Sequence, residues 1–350
     1  MRNDLRDRFD SELALFLKEQ SEALLELHSD LQPMVDEVVE LTLAGGKRLR
    51  PSFCYWGHRG GGGADGPDIV KAALALELLH TFALIHDDIM DGSAVRRSRP
   101  AAWVALGRLS VQHEWRETLS DFGVSAAILA GDLALMWADL LLATAEFPAD
   151  RRLAAFDLFT LMRVEVTAGQ YLDLVEAHRG HTDEAAARHI CTLKSGRYTV
   201  ERPLQIGLAL AGGDRRLHEV FAAYGNPLGQ AFQIGDDILG VFGDPVLTGK
   251  PADSDLREGK ETVLVAKARD RATPDDAALL DRLLGAPDLD EHGVAELRRV
   301  LVQSGALADA QALVHELAAE ATSALDGAPL DAEVRDALVD LAAYVAERDR

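Results

Sequence analysis

Apolar residues recur at three- and four-residue spacing along nearly the whole 350-residue chain, and alternating strand patterns are scarce. This spacing places apolar side chains on one face of a helix, so it predicts an all-α protein. We expect helices at roughly 5–28, 31–45, 50–58, 68–92, 101–112, 122–145, 150–176, 182–195, 197–212, 214–242 and 262–271, with several more to the end. Because 48% of the residues are hydrophobic, one large helical domain over 1–350 has enough apolar material for its core.

The charge, the apolar stretches and the cysteine content limit the partners and the compartment that we expect. Acidic residues outnumber basic residues by 58 to 36, for a formal net charge of −22. Such a surface repels nucleic acid and anionic lipid, so we expect no nucleic-acid partner. The N-terminus is too charged for a signal peptide, and the most apolar stretch carries Asp132 and Asp139, so we expect no stable membrane insertion. Cys54 and Cys191 are too few for a disulfide scaffold and favour a cytoplasmic protein.

Two polar stretches interrupt the helices. The stretch "RGGGGADGPD" at 59–68 lacks the GxxxxGK[ST] pattern and follows no strand, so a flexible connector is a better interpretation than a phosphate loop. The stretch "GDPVLTGKPADSDLREGKET" at 243–262 is longer and carries Lys250, Arg257 and Lys260. Long loops in compact domains are often functional lids, and a solvated surface loop is the alternative.

A cluster of carboxylates closes the most apolar helix. In "LIHDDIMD", Asp87 and Asp91 lie four residues apart and stack on one helix face, with Asp88 beside them. Like charges at this spacing repel each other, so a positive group should lie between them. Mg²⁺ takes carboxylate oxygens and is commonly shared with substrate phosphates. A solvated helix end is the alternative, but the preceding turns are too apolar to favour it.

A second carboxylate pair repeats this layout. In "AFQIGDDILG", an apolar helix leads to Asp236 and Asp237, and Gln233 lies one turn before Asp236. Facing helices of a bundle build metal sites from side chains that point towards each other. The two pairs therefore predict two facing helices with metal ions between them.

Basic residues are grouped beside these acids. The groups are Lys47, Arg48 and Arg50 in "GGKRLRP", Arg96, Arg97 and Arg99 in "AVRRSRP", and Lys194 and Arg197 in "LKSGRY". Arginine binds phosphate through two N–H groups, and lysine through a point charge. Any one group alone is equally consistent with a surface salt bridge. Together with two candidate Mg²⁺ sites, the groups indicate a diphosphate ligand.

Eight motifs, in this order, resemble the trans-isoprenyl diphosphate synthases, also called polyprenyl synthetases. They are "GGKRLRP", "HTFALIHDDIMD" with its following arginines, "GDLAL", "GQYLDL", "KSGRYTVERPL", "AFQIGDDILGVFGDP", "GKPADSDLREGK" and "AAYVAERDR". The resemblance covers about residues 40–350 and leaves 1–40 as N-terminal helices. It implies an all-α bundle around a deep central cavity, of the isoprenoid synthase type and usually a homodimer.

The resemblance also implies an activity, the head-to-tail condensation of isopentenyl diphosphate with an allylic diphosphate such as the dimethylallyl, geranyl or farnesyl ester. It implies three Mg²⁺ ions, with Asp87 and Asp91 as ligands on one side, Asp88 supporting them, and Asp236 as the ligand on the other side. The candidate catalytic residues are Asp87, Asp88, Asp91, Lys194, Asp236 and Asp237.

The same resemblance implies binding roles for other residues. Isopentenyl diphosphate would be held by Lys47, Arg50, His80 and Arg97. The allylic diphosphate would be held by Arg96, Lys194, Lys250 and Lys260. Ser195 and Gln233 would stabilise the allylic cation or orient the second carboxylate cluster.

Two details depart from the family pattern or refine it. The second motif ends in Gly240, where the family commonly has an aspartate, and Asp244 lies one turn further and could substitute in part. Helix geometry places Ala83, but not Phe82, on the face of Asp87. The resemblance makes Phe82 and Ala83 the chain-length residues and favours a geranylgeranyl-type, twenty-carbon product. The alternatives are a farnesyl or longer-chain synthase, a terpene cyclase, and a non-catalytic partner subunit.

Overall fold

The computed structural model describes residues 3–114, 118–244 and 252–347, and the all-α prediction is confirmed. The first helices are α1 Asn3–Leu25, a 3₁₀ turn Ser29–Leu31, α2 Gln32–Leu43, α3 Leu49–Gly60, α4 Pro67–Ala73, α5 Ala75–Met90, α6 Ala102–Gln112, α7 Leu119–Ala143 and α8 Ala149–Arg179. They are followed by α9 Glu184–Cys191, a π-helix Thr192–Glu201, α10 Arg202–Ala211, α11 Arg215–Phe242, α12 Ser254–Glu258, α13 Val263–Arg271, α14 Pro274–Leu283, α15 Glu291–Gln303, α16 Ala306–Ser323 and α17 Ala332–Ala346.

The two helices that carry the carboxylate clusters, α5 and α11, lie inside the bundle. Helix α5 packs against α7, and α11 packs against the π-helix and α16. Side chains such as Leu78 and Ile85 on α5 are almost wholly buried. Burial of one such side chain stabilises the fold by about 1.5–3 kcal/mol, so the helices that hold the acids are fixed by packing on their other faces.

Three local features differ from the helix pattern expected from the sequence. The predicted helix 68–92 is two helices that meet at Leu74. The sequence did not predict this break because no glycine or proline marks it. The predicted helices 182–195 and 197–212 are joined by the π-helix, a wider turn that is often found at functional sites. A hairpin of the two-residue strands β1 Val95–Arg96 and β2 Arg99–Pro100 is too short to show alternation.

Two helical stretches, Pro67–Met90 and Leu119–Ala143, are long and apolar enough to cross a membrane, judged by length and composition alone. The most apolar window of the first is 67% buried inside the protein, as expected of a core helix. The corresponding window of α7 is only 44% buried, so much of its apolar surface faces outward.

Candidate active site

A cavity of about 1290 Å³ is lined by α5, α8, the π-helix and α11. Its polar wall contains Lys47, Arg50, His80, Asp87, Arg96, Gln170, Asp173, Lys194, Ser195, Gln233, Asp236, Asp237, Asp244, Asp255 and Lys260. Its apolar wall includes Phe82, Ala83, Leu84, Val166 and Phe232. The cavity therefore brings the two carboxylate clusters and most of the predicted basic residues together, beside a long apolar surface.

Asp87 lies at the centre of a set of positive and hydrogen-bonding groups. Its Oδ2 is 3.2 Å from Nη2 of Arg96, and its Oδ1 is 3.6 Å from Nζ of Lys194 and accepts a 3.2 Å hydrogen bond from Gln170. Asp88 is buried and accepts a 2.8 Å hydrogen bond from Nε of Arg96. Asp88 therefore holds Arg96 in place behind the cavity wall.

Asp91 is paired with the other lysine of the site. Its Oδ2 is 3.0 Å from Nζ of Lys260, which also contacts Glu258 at 2.7 Å. Burial, reinforced by the negative charge of Asp87, raises the pKa of Asp91 to about 6. The positive charge that the Asp87–Asp91 spacing requires is thus supplied by lysines from the π-helix and from the segment after α12.

Gln170 and Asp173 on α8 belong to the site, although the sequence analysis gave them no role. Asp173 Oδ2 is 2.7 Å from Nζ of Lys194, and burial of this lysine is outweighed by Asp87 and Asp173, so its pKa is raised. The two residues are three apart in "GQYLDL", which places them on neighbouring positions of one helix face. That spacing is the feature of the sequence that could have indicated their shared role in the site.

The second cluster stands on α11. Asp236 lines the cavity, and Asp237 accepts a 2.7 Å hydrogen bond from Nε2 of Gln233. Burial, with the nearby charge of Asp255, raises the pKa of Asp237 to about 8. Gln233 thus orients this cluster, which is one of the two roles expected for it.

Asp255 of α12 fills the space beside Gly240. A β-carbon on Gly240 would overlap the carboxylate of Asp255. Asp244, the substitute expected from the sequence, also lines the cavity. An acid from the segment 243–262 therefore stands next to the position where the family commonly has its last aspartate, and sequence spacing within α11 gave no signal for it.

Lys47 and Arg50 form a separate pair of cations. The Arg50 guanidinium carbon is 4.2 Å from the Tyr198 ring, its Nη2 donates a 3.0 Å hydrogen bond to Thr199, and its buried Nε has no hydrogen-bond partner within the described ranges. Lys47 Nζ lies 4.6 Å from the ring of Tyr344. Within the described part of the chain, neither cation has a carboxylate within salt-bridge distance, which is typical of an anion site.

The three remaining predicted binding residues differ in where they lie. His80 Nδ1 is 3.1 Å from the Tyr198 hydroxyl, and burial lowers its pKa well below the usual value, so it faces the cavity as a neutral ring. Arg97 donates a 2.9 Å hydrogen bond to the carbonyl of Leu41 and is not among the described residues that line the cavity. Lys250 lies outside the described residues.

The carboxylates of the cavity could bind a metal ion whose other ligands come from a bound substrate. Among residues 3–114, 118–244 and 252–347, no three His, Cys, Asp or Glu side chains converge closely enough to hold a metal ion by themselves. Asp87 and Asp236 nevertheless line one cavity, from α5 and α11. Mg²⁺ prefers oxygen ligands, keeps several waters and is usually bound by one or two carboxylates plus substrate phosphates, so these residues fit it.

Known proteins are similar to this chain in sequence and in fold. The model of the family described as polyprenyl synthetase matches residues 32–301. A geranylfarnesyl diphosphate synthase of Aeropyrum pernix is 34% identical over 315 residues, which cover 89% of this chain and 92% of that protein. A geranylgeranyl diphosphate synthase of Sulfolobus acidocaldarius is 33% identical over 267 residues, 74% of each chain.

Among solved structures, the geranylgeranyl pyrophosphate synthase of Corynebacterium glutamicum, complexed with isoprenyl diphosphate and magnesium, gives a TM-score of 0.92 at 33% identity. The match covers 99% of this chain and 98% of that chain. Together with the carboxylates and cations of the cavity, these matches show that the chain belongs to the polyprenyl synthetase family and is a prenyltransferase.

Proposed function

We propose that the protein condenses isopentenyl diphosphate head to tail with allylic diphosphates and that its main product is the twenty-carbon geranylgeranyl diphosphate. The observation that supports the condensation of two diphosphates is the presence of two distinct cation groups in one cavity. Arg96, Lys194 and Lys260 are interleaved with carboxylates, whereas Lys47 and Arg50 have no carboxylate partner in the described residues. Two groups of this kind suit two diphosphates, of which only one is bound together with metal ions.

The carboxylate-lined group would bind the allylic diphosphate. Asp87 and Asp91 on one side and Asp236 on the other would hold three Mg²⁺ ions, which supply positive charge to the departing diphosphate when bound. Lys194 and Lys260 would exchange a carboxylate contact for a phosphate oxygen. Arg96 stays fixed by Asp88 and presents its remaining N–H groups.

Lys47 and Arg50 would bind isopentenyl diphosphate. The unpartnered Nε of Arg50 and the Nζ of Lys47 offer donors, and neutral His80 would add one N–H group without adding charge. Placing the uncharged end of isopentenyl diphosphate against the allylic carbon converts the reaction into an effectively unimolecular step.

The allylic carbon–oxygen bond breaks, and its electron pair leaves with the diphosphate. The double bond of isopentenyl diphosphate supplies the pair for the new carbon–carbon bond. This leaves a cationic carbon on the isopentenyl unit; the carbon next to it loses one proton to the released diphosphate, and the electron pair of that C–H bond forms a new double bond. Lysines and arginines that are already in position stabilise the departing charge without reorganisation.

The apolar wall below Asp87 would hold the growing chain. Ala83 and Asp87 are four residues apart and lie on one strip of α5. Phe82 and His86 are also four apart and lie on the adjoining strip, and both strips line the cavity. We expect Phe82→Ala to lengthen the product and Ala83→Phe to shorten it towards farnesyl diphosphate, as measured by mass spectrometry. If Phe82→Ala remains active with an unchanged product distribution, Phe82 is not the floor of the channel.

The proposed activity is tested with purified protein, Mg²⁺, isopentenyl diphosphate and each allylic diphosphate in turn, with products identified by mass spectrometry. Elongated prenyl diphosphates that require isopentenyl diphosphate support the proposal. Release of a hydrocarbon from the allylic diphosphate alone would identify a terpene cyclase instead. No turnover with any primer would favour a non-catalytic partner subunit.

We also propose that the protein is a homodimer. The support is the outward apolar surface of α7 and α8, which includes Leu129, Met136 and Val164, each at least 60% exposed. Contiguous apolar surface of this kind marks interaction sites in proteins.

A further inference from the structure

His86 is a polar side chain in the apolar part of the cavity wall. It directly precedes Asp87 on α5, and its imidazole lines the cavity. Its Nε2 lies 3.1 Å from the carbonyl oxygen of Ile128 on α7. A carbonyl only accepts hydrogen bonds, so Nε2 is the protonated nitrogen and donates this bond. The ring is therefore tied to the neighbouring helix and does not point freely into the cavity.

Gly131 on α7 makes room for this arrangement. It is buried where α7 packs against α5, and a β-carbon at this position would overlap Nε2 and Cδ2 of the His86 ring. The nearest obstructing atoms belong to a side chain and not to a backbone, so any larger residue at 131 would displace the imidazole. Because α7 closes the space behind the ring, the direction left open is towards the cavity.

His86 in turn supports Phe82. The two residues are one turn apart on α5, and their ring centroids are 4.6 Å apart with an interplanar angle of 57°. Aromatic pairs at this separation and tilt stabilise each other. The imidazole thus fixes one side of the phenyl ring, which also lines the cavity.

We propose that Gly131 and His86 set the length of the prenyl product. Gly131 provides a recess on α7 that receives the imidazole, and the imidazole holds the Phe82 ring at the depth where the apolar channel stops. This inference rests on the proposed prenyl diphosphate synthase function and deepens it. It makes His86 a specificity-determining residue and Gly131 a positioning residue that acts through it.

The test is a double-mutant cycle in which product length is the readout, measured by mass spectrometry with dimethylallyl diphosphate as primer. Gly131→Ala should push the imidazole into the channel and shorten the main product by one isoprene unit. His86→Ala should remove the ring and its support of Phe82, and lengthen the product. The double variant should match His86→Ala, because the added methyl group then has no ring to displace.

Two results would overturn the inference: an unchanged product length in Gly131→Ala, or a double variant that is shortened as much as Gly131→Ala alone. If Gly131→Ala does not fold, His86→Ala decides by itself, since an unchanged length would reject the role of the ring. Gly66→Ala is the matched control, because a β-carbon at Gly66 meets no atom within 4 Å, and its product should be that of the wild type.

The assay also separates this inference from the proposed function. If the wild type incorporates labelled isopentenyl units while every variant gives the same product length, the inference fails and the proposed function stands. If the wild type incorporates no isopentenyl units with any primer, the proposed function itself fails.

Discussion

At the scale of single residues, Asp237 is a carboxyl group whose ionised form is disfavoured in the metal-free protein. It is buried on α11, and burial together with Asp255 raises its pKa from 3.8 to about 8. Because the folded-state pKa lies above the ordinary value, proton binding stabilises the folded state. This stabilisation is fully present below about pH 4 and is lost as the pH rises through about 8.

Replacing Asp237 with asparagine should therefore stabilise the metal-free protein at high pH. Asparagine keeps an acceptor for Gln233 and cannot ionise. The gain in free energy of unfolding over the wild type should be near zero at about pH 4, grow by up to about 1.4 kcal/mol per pH unit, and level off above about pH 8. Denaturant unfolding in the presence of EDTA measures this gain.

The control for this prediction is Asp288→Asn, which changes an exposed aspartate before α15. Its free energy of unfolding should follow the wild type across the pH range. A constant difference between Asp237→Asn and wild type from pH 4 to 9 would show that Asp237 is not protonated preferentially in the folded protein.

At the scale of elements, α1 contacts Arg48, which lies between the two candidate isopentenyl diphosphate cations, although α1 lies outside residues 32–301, the part matched by the family. Its Asp10 Oδ1 accepts a 2.8 Å hydrogen bond from Nε of Arg48, and Glu77 accepts one of 2.6 Å from Nη1. Arg48 has a left-handed backbone, with φ of 47°, and stands between Lys47 and Arg50. The buried guanidinium thus anchors the loop that carries Lys47 and leads into α3, whose first turn carries Arg50.

Loss of this anchor should weaken the binding of isopentenyl diphosphate selectively. In Asp10→Asn we expect the KM for isopentenyl diphosphate to rise roughly three- to tenfold, which corresponds to about 0.7–1.4 kcal/mol. The kcat and the KM for the allylic diphosphate should change little, because the carboxylate-lined group is held by other elements. Initial-rate kinetics with each substrate varied in turn measures both constants.

Asp7→Asn is the matched control, since Asp7 is an exposed acid on the same helix, and its kinetic constants should equal those of the wild type. Equal rises in both KM values in Asp10→Asn would show that Arg48 supports the whole fold and not this loop.

The elements also show what sequence reasoning can and cannot reach. Periodicity predicted the long helices, and the spacing within "LIHDDIMD" and "AFQIGDDILG" predicted two acid clusters that the structure places in one cavity. The partners of those acids come from other elements. Asp173 and Asp255 approach Lys194 and Gly240 only through tertiary packing, which no local spacing encodes.

At the scale of the whole molecule, the outward face of α7 and α8 contrasts with the acidic composition of the rest of the chain. Leu129, Met136 and Leu140 follow one another at helical spacing on α7, and Leu161 and Val164 do so on α8. A chain with a net charge of −22 has many acids with which to cover its surface, so an exposed apolar face requires an explanation. Pairing of this face with its copy across a two-fold axis would bury it.

The homodimer predicts a change in mass when this face becomes charged. Met136 is 63% exposed, so Met136→Glu costs no core packing in the monomer, but in a dimer it would bury two carboxylates in an apolar interface. We expect the wild type to elute with the mass of a dimer and Met136→Glu with that of a monomer, as measured by size-exclusion chromatography with light scattering. Val302→Glu, at a 52% exposed valine on α15, should remain dimeric. A dimeric Met136→Glu would place the interface elsewhere on the molecule.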